Sequence, residues 1–380
     1  MPRIHVNLQA LAHNANLTRD WANGHGVSIS PVLKAVKENA LIVKFLASRE
    51  FLNFGVADPN ILNPAPGLFR RSSVALTPKS LAHLVAQNFE ISFESELSTI
   101  LALDDACLAL GRKMDIILMV NLGDHREGME LSEIDGAINH LSLLKNLNFR
   151  GFGSTLSCLS HNIPGPELFD KLGYLVTLSF KHGLNHPIIS LGGTVMASFV
   201  ENYGRGPITE LRMGDPFLFG WDLYRNAPLP GGIYRQDVFA LAGEILEIRE
   251  RLVSGHYHKR ALIELGRFQS GVSLVPGDQS CLNHCLEKLN CLWPGSEIVG
   301  MTAGYLIVDV TNSPQNLHVG QELLFRPGYW ALSQAFLADF DLVIINSSQS
   351  LSVSSKDFST YLSKQSYIGA TSLSRQSLCF

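Results

Sequence analysis

The chain has 380 residues, of which 46% are hydrophobic and 17% charged, with a formal net charge of −4 at pH 7. The length allows two or three domains, and the small charged share indicates much interior or interface, so we expect a homo-oligomer. The charge argues against nucleic-acid binding, and no apolar run approaches the roughly 18 residues that cross a bilayer. The first residues lack the apolar core of a secretory signal, so we expect a cytoplasmic protein.

The first interior run, Ser30-Pro31-Val32-Leu33-Lys34-Ala35-Val36, predicts a buried strand that contains a cation. Burying the ammonium group of a lysine without a partner costs roughly several kcal/mol unless the pKa of the lysine falls. Lys34 therefore suggests either a lysine that forms a Schiff base or a member of a buried ion pair, for which Glu38 is close in sequence.

Short β-rich runs alternate with helical patterns along the first two thirds of the chain, and this alternation predicts a closed (β/α)8 barrel, an α/β fold. The predicted strands are Ser28–Val36, Asn53–Asp58, Ser72–Thr77, Phe89–Phe93, Asp115–Leu122, Phe149–Leu156, Pro187–Leu191 and Glu210–Phe219. The main predicted helices lie within Lys79–Gln87, Glu94–Leu110, Leu131–Leu147 and Gly165–Gly183.

Beyond about residue 235, β-rich runs are separated by turns and predict a mostly β second domain. We expect a barrel at 9–235, a β domain at 236–345 that residues 1–8 join by crossing over, and a weakly packed serine-rich tail at 346–380. Cys281, Cys285 and Cys291 have irregular spacing, which favours a thiol-bearing insertion over a metal site. We predict no metal.

Six polar residues lie at the carboxyl ends of the predicted barrel strands, where the active sites of such barrels are found. They are Lys34, Asp58, Arg126, Thr155, Thr194 and Asp215.

Two stretches carry a resemblance to a known family. They are Ile117-Leu118-Met119-Val120-Asn121-Leu122-Gly123-Asp124-His125-Arg126-Glu127-Gly128 and Leu211-Arg212-Met213-Gly214-Asp215. With Lys34 and Gly192-Gly193-Thr194, they resemble the alanine racemase family, and most of all its ornithine racemase branch, over roughly residues 1 to 345. The resemblance implies a pyridoxal 5′-phosphate barrel followed by a β domain.

The resemblance also implies roles for individual residues. Lys34 would form the Schiff base with the cofactor, and Arg212 would face the pyridine nitrogen and keep it unprotonated. Read alone, Arg212 is a structural ion-pair member. Backbone N–H groups and a hydroxyl would bind the cofactor phosphate, although a Gly-Gly pair alone is also a common tight turn; these groups belong to Gly193, Thr194, Gly214 and Asp215.

The resemblance implies further contacts to the cofactor and to the substrate. Thr155 takes the place of the aromatic residue over the cofactor ring, and Tyr329 matches a tyrosine that the family brings to the cofactor from the second domain. Arg126 would meet the phenolic oxygen of the cofactor or the substrate carboxylate. Asp124 would lie beside the substrate, unless the whole stretch through Glu127 is a solvated loop.

The chain departs from the family where alanine racemases have a catalytic tyrosine. Arg267 occupies that place in Gly266-Arg267-Phe268-Gln269-Ser270-Gly271 and becomes a candidate for substrate binding. A racemase needs two proton-transfer groups on opposite faces of Cα, and Lys34 serves one. Tyr305, Tyr329 and Cys158 are the candidates for the other.

The resulting hypothesis is a pyridoxal-phosphate-dependent racemase of ornithine, lysine or a similar free amino acid, active as a head-to-tail homodimer. A basic substrate needs a carboxylate at the distal end of its pocket, for which Asp58, Asp124 and Glu127 are candidates. Two alternatives stay open: an amino-acid decarboxylase, against which Arg212 argues, and a cofactor-binding protein with little or no turnover.

Overall fold

The computed structural model describes residues 1–61, 66–159, 163–271, 289–314, 316–338 and 340–345. The predicted tail at 346–380, Cys281 and Cys285 lie outside the described residues. The chain forms two compact units, one of residues 12–234 and the other of residues 1–11 together with 235–380.

Eight parallel strands form the sheet of the unit 12–234, in the order β2-β9-β8-β7-β6-β5-β4-β3. A parallel bridge between Val32 and Gly55 links the two ends of this order, so the sheet is a nearly closed barrel. The predicted (β/α)8 fold is therefore confirmed. The strands are β2 (Ser28–Pro31), β3 (Asn53–Val56), β4 (Arg70–Ser73), β5 (Ile91–Glu94), β6 (Met114–Met119), β7 (Leu147–Thr155), β8 (Ile188–Gly192) and β9 (Glu210–Met213).

Helices follow most of these strands because apolar residues recur on one side of each helical segment. In α6 (Leu168–Lys181), Leu168, Leu172, Leu175 and Leu178 are all buried, and their spacing places them on one face. The other helices are α1 (Leu8–His25), α2 (Ala40–Ala47), α3 (Ala82–Asn88), α4 (Leu97–Ala109), α5 (Ile134–Leu141), α7 (Val195–Tyr203) and α8 (Asp215–Leu218), with 3-10 turns at Lys34–Val36 and Lys79–Leu81.

An antiparallel sheet dominates the other unit, with the strand order β12-β15-β10-β11-β14-β13. The amino-terminal β1 (Arg3–Asn7) pairs antiparallel with β10 and parallel with β16. The remaining elements are β10 (Phe239–Val253), β11 (His256–Ile263), α9 (Arg267–Ser270), β12 (Leu289–Cys291), β13 (Glu297–Met301), β14 (Leu306–Asp309), β15 (Glu322–Pro327), α10 (Tyr329–Leu337) and β16 (Asp341–Ile345).

None of the helices in the described ranges has the length and apolar character that a membrane span requires. Within the same ranges, no group of three or more His, Cys, Asp or Glu side chains is arranged to hold a metal ion.

His5 makes the stability of the β unit depend on pH. Its ring is 6% exposed in β1, and neither ring nitrogen has a hydrogen-bond partner among the described residues. Burial, with a smaller contribution from the charge of Arg3, lowers the pKa of His5 from 6.5 to about 4.

The folded protein binds a proton at His5 less readily than the unfolded chain does. The unfolding free energy is therefore highest above pH 6.5, where the ring is neutral in both states, and it falls as the pH drops towards 4. We expect the unfolding free energy to drop by up to about 3 kcal/mol over this interval. Denaturant unfolding of the wild type and His5→Val at several pH values measures it. Identical pH profiles for the two proteins would show that His5 contributes nothing.

Candidate active site

Lys34 lies just beyond the carboxyl end of β2. The strand ends at Pro31, and Lys34 begins a 3-10 turn in which its side chain is exposed. The prediction that Lys34 lies in a buried strand is therefore wrong. The chain leaves the sheet because the N–H groups of Val36 and Glu38 turn back to the carbonyl of Leu33, at 3.0 and 3.2 Å.

Glu38 is the buried carboxyl group next to this lysine. Lys37 and Glu38 both have positive φ angles, 49° and 45°, and this left-handed turn directs the Glu38 side chain into the protein, where it is 5% exposed. Burial raises the pKa of Glu38 to about 7, against the opposing effects of the Ala57 N–H, Arg71 and Lys34. The carboxyl group near Lys34 thus belongs to a residue four positions further along the chain.

Arg212 is buried on β9, where it is 4% exposed. Its Nη1 donates to the carbonyl and the hydroxyl of Ser190, at 2.8 and 2.7 Å, and its Nη2 donates to the carbonyl of Ser154 at 3.0 Å. The guanidinium carbon lies 4.5 Å from the centre of the Phe93 ring. These contacts fix the planar group in one orientation.

A short polar chain extends from Arg212 to Glu210. The Ser190 hydroxyl accepts from Arg212 and donates to a carboxylate oxygen of Glu210. Burial lowers the pKa of Arg212 to about 10, although Glu210 opposes this shift, so the guanidinium remains charged at neutral pH. Burial likewise raises the pKa of Glu210.

Two glycines bring backbone close to backbone where β8 and β9 end. A Cβ on Gly193, whose φ is +111°, would lie 2.4 Å from the carbonyl oxygen of Leu156. A Cβ on Gly214 would lie 2.3 Å from that of Val32. Only glycine fits at either position. Thr194 directly precedes α7, in whose first turn the N–H groups of Met196 and Ala197 donate to the carbonyls of Gly193 and Thr194, at 3.0 and 3.1 Å.

Asp215 follows Gly214 and is also buried. Burial, and then the charge of Asp222, raise the pKa of Asp215 to about 7, whereas hydrogen bonds from the Leu223 N–H and the Thr194 hydroxyl and the charge of Lys34 lower it. The predicted strand Glu210–Phe219 is wrong beyond Met213, because residues Asp215–Leu218 form the short helix α8.

Arg126, Glu127 and Thr155 are linked across the ends of β6 and β7. Arg126 forms a two-pronged ion pair with Glu127, and its Nη2 also donates to the Thr155 hydroxyl at 3.1 Å. That hydroxyl donates to Glu127 Oε1 at 2.9 Å. The hydrogen bonds to Glu127 raise the pKa of Arg126 further above its usual range. This network of side chains is solvent-exposed at Arg126 and half-buried at Glu127 and Thr155.

Asp124 is held by backbone groups of the loop after β7. Its side chain is 4% exposed, and its carboxylate accepts the N–H groups of Cys158 and Leu159, at 3.0 to 3.3 Å. It therefore ties the loop after β6 to the loop after β7. Asp58, by contrast, is exposed and accepts from Asn60 N and Nδ2, both at 2.9 Å.

Tyr224 is a titratable group at this site that sequence reasoning missed. It is half-buried in the loop closed by the Asp222–Ala227 bridge, and it interacts electrostatically with Cys158, Asp215 and Arg126. Burial raises the pKa of both the Tyr224 phenol and the Cys158 thiol. No local pattern indicated Tyr224, because its place depends on how the chain folds back after α8.

The candidates from the β unit lie on adjoining segments. The N–H of Arg267 donates to the Thr302 carbonyl at 2.9 Å, and the N–H of Tyr305 donates to the Thr302 hydroxyl at 3.0 Å. The Arg267 and Tyr305 side chains are exposed. α9 packs on α10, which begins at the partly buried Tyr329.

Residues 6–215 match the family model described as "Alanine racemase, N-terminal domain". The chain is 29% identical over 370 residues to an ornithine racemase from Acetoanaerobium sticklandii, covering 89% of this chain and 98% of that protein. It is 24% identical over 353 residues to a lysine racemase from Thermotoga maritima, covering 89% and 97%.

Among solved structures, an alanine racemase from Bartonella henselae with covalently bound pyridoxal phosphate superposes with a TM-score of 0.68. It is 15% identical, and the match covers 90% of this chain and 99% of that one. At this identity the likeness establishes the fold and leaves the activity to other arguments.

Proposed function

The chain belongs to the alanine racemase family, and on that premise we propose that it is a pyridoxal-phosphate-dependent racemase of ornithine, lysine or a similar amino acid. The observation that carries this proposal is the convergence of Lys34, Arg212 and the Gly193–Thr194 and Gly214–Asp215 turns at the carboxyl ends of the barrel strands. An amine for the Schiff base, a charged partner for the pyridine nitrogen and turns where backbone can approach a phosphate are features of a pyridoxal-phosphate site.

The residues of the barrel fit the cofactor on steric grounds. The glycines at 193 and 214 allow backbone to approach where a side chain would collide, as a phosphate group needs. The Thr194 hydroxyl is a further polar group of the Gly193–Thr194 turn, and Thr155 would lie over the cofactor ring. Arg212 remains cationic and would face the pyridine nitrogen, which keeps that nitrogen unprotonated.

When bound, pyridoxal phosphate withdraws electrons from the substrate Cα and so makes its proton acidic. Lys34 would hold the cofactor covalently and, when released by the substrate, move a proton at one face of Cα. The opposite face needs a second group. Tyr305 and Tyr329 remain our candidates from the β unit, and within the barrel Cys158 and Tyr224 are two further titratable groups that interact with Arg126.

Arg126 and Arg267 are proposed to bind the substrate carboxylate. Of the carboxylates considered for the distal ammonium of a basic substrate, Asp124 accepts two backbone N–H groups, and Glu127 is paired with Arg126. Asp58 is the exposed one of the three, and so we assign the distal contact to it. Asp124 then positions the two loops and does not touch the substrate.

We also propose the head-to-tail homodimer, in which the β unit of one chain closes the barrel of the other. Support comes from exposed aromatic and aliphatic side chains on the adjoining segments around α9 and α10. Phe268 is 73% exposed, Trp330 51%, Tyr305 47% and Leu337 57%. Large apolar side chains clustered in this way are typical of an interface.

Trp330→Glu should weaken this dimer by about thirtyfold or more, because a charge replaces an aromatic anchor in the interface. When the variant is diluted, its activity per subunit should begin to fall at a protein concentration about thirtyfold higher than for the wild type. The circular dichroism spectrum should stay unchanged. Leu108→Glu is the control, since Leu108 is 66% exposed on α4 of the barrel. Sedimentation with parallel assays measures both, and a fully active monomer would contradict the shared site.

Substrate choice is tested by chiral chromatography of a panel of L-amino acids incubated with the cofactor-loaded protein. We expect D-ornithine or D-lysine to form much faster than the D forms of their uncharged analogues norvaline and norleucine, and Asp58→Asn to reduce that preference. Release of the corresponding diamine would favour the decarboxylase instead. If the cofactor-loaded protein converts no amino acid in the panel, the alternative of a cofactor-binding protein would be favoured. The replacement of the family's catalytic tyrosine by Arg267 would then explain the missing turnover.

A further inference from the structure

The Asp215 carboxyl occupies the turn that the proposed function assigns to the cofactor phosphate. It is 7% exposed and accepts hydrogen bonds from the Leu223 N–H and from the Thr194 hydroxyl. Its Oδ2 has no hydrogen-bond partner among the residues that the structure describes. Thr194, a proposed phosphate ligand, is thus oriented by a group that is itself an acid.

The ionisable groups that interact with this carboxyl come from the loop after α8 and from the turn after β2. Asp222, 1% exposed, comes from the loop after α8; it accepts the Arg225 N–H at 3.0 Å and lies 3.7 Å from the Arg225 guanidinium. Lys34 is the cation on the turn after β2, and Tyr224 contributes a phenol. Burial and Asp222 outweigh Lys34, so the pKa of Asp215 rises to about 7.

We propose that Asp215 is a positioning residue of the phosphate site: when the phosphate binds, the carboxylate takes up one proton from solvent. Its O–H then donates to the Thr194 oxygen, and the Thr194 O–H turns to donate to the phosphate. A phosphate dianion placed beside a buried carboxylate would repel it, and little water is present to screen the two charges. Protonation of the carboxylate removes that repulsion and supplies an O–H donor. The proton comes from the buffer, and no other bond is made or broken.

This inference rests on the proposed function and makes a separate prediction about binding. Below pH 7 the carboxyl already carries its proton, so the affinity for the phosphate group does not depend on this uptake. Above pH 7 each pH unit should weaken binding by about tenfold until the pKa of the complex is reached. Asp215→Asn provides an amide N–H that can donate to the Thr194 oxygen, as the protonated carboxyl would, but it cannot titrate, so its affinity should lose this pH dependence.

Pyridoxamine 5′-phosphate is the probe, because it has the phosphate but no aldehyde to react with Lys34. Calorimetry at about pH 8 in two buffers of different ionisation enthalpy counts the protons taken up, and we expect close to one for the wild type and none for Asp215→Asn. The variant should also bind about tenfold more tightly than the wild type at this pH.

Two controls identify the source of the proton. Pyridoxamine without the phosphate should bind without proton uptake, and Glu38→Gln should retain the uptake, since Glu38 has a similar pKa but lies outside the phosphate turns. Wild-type binding without proton uptake would overturn the inference, as would an unchanged pH dependence in Asp215→Asn. If the variant does not fold, the wild-type proton count decides. Failure to bind the probe at any pH would contradict the proposed function itself.

Discussion

Lys34→Ala should lower the rate of racemisation by about a thousandfold or more while leaving the barrel folded. Lys34 is exposed on a 3-10 turn, so removing its side chain creates no cavity. It does remove the amine that would hold the cofactor and move a proton at one face of Cα. The visible absorbance band of the Schiff base should also disappear. Borohydride reduction followed by mass spectrometry should then find no cofactor attached at position 34.

The matched control is Lys37→Asn, three residues along the same turn. Lys37 is exposed and has a φ of 49°, a conformation that asparagine tolerates better than most residues. Its activity and its reduced adduct should resemble those of the wild type. Full activity in Lys34→Ala, or an adduct mapped to another lysine, would refute the assignment.

Arg212→Gln should reduce both stability and activity, and the two effects should be separable. The substitution removes the larger of the two cationic charges that act on the half-buried Glu210, the other being Arg70, and it removes donors to Ser190 and Ser154. We therefore expect the unfolding free energy to fall by about 3 kcal/mol. Racemisation should fall at least about tenfold, because the fixed cation facing the cofactor is lost.

The double variant Arg212→Gln, Glu210→Gln distinguishes these effects. Neutralising Glu210 removes the uncompensated charge, so most of the stability should return, whereas racemisation should remain low. Denaturant unfolding and initial rates on the same preparations provide the comparison. A double variant that regains activity along with stability would mean that Arg212 is only structural, the reading that its sequence context alone suggested.

The barrel could be predicted from the sequence because hydrophobic runs and helical periodicity alternate regularly along 28–213. The positions at which the strands end could be predicted less well. The run through Val36 reads as one strand, yet Ala35 and Val36 are buried by a 3-10 turn, and an apolar run alone does not distinguish the two. The end of β9 did carry a signal, since Pro216 in Gly214-Asp215-Pro216 is typical of the first turn of a helix.

The site could be predicted where a role belongs to a strand end and not where it depends on partners distant in sequence. The positions of Thr155, Arg212 and Gly193 follow from strand order. Asp124, in contrast, is withdrawn by backbone N–H groups more than thirty residues away, at 158 and 159. The burial of Glu38 depends on a left-handed turn at two non-glycine residues, which composition does not reveal.

The most direct test of the account is proton NMR of L-ornithine and of L-lysine in D2O with the cofactor-loaded protein, combined with chiral analysis of the same samples. The account predicts that deuterium replaces the α-proton of at least one of them and that the D enantiomer accumulates to an equal mixture. Retention of the α-proton in both, by a protein whose absorbance shows bound cofactor, would contradict it.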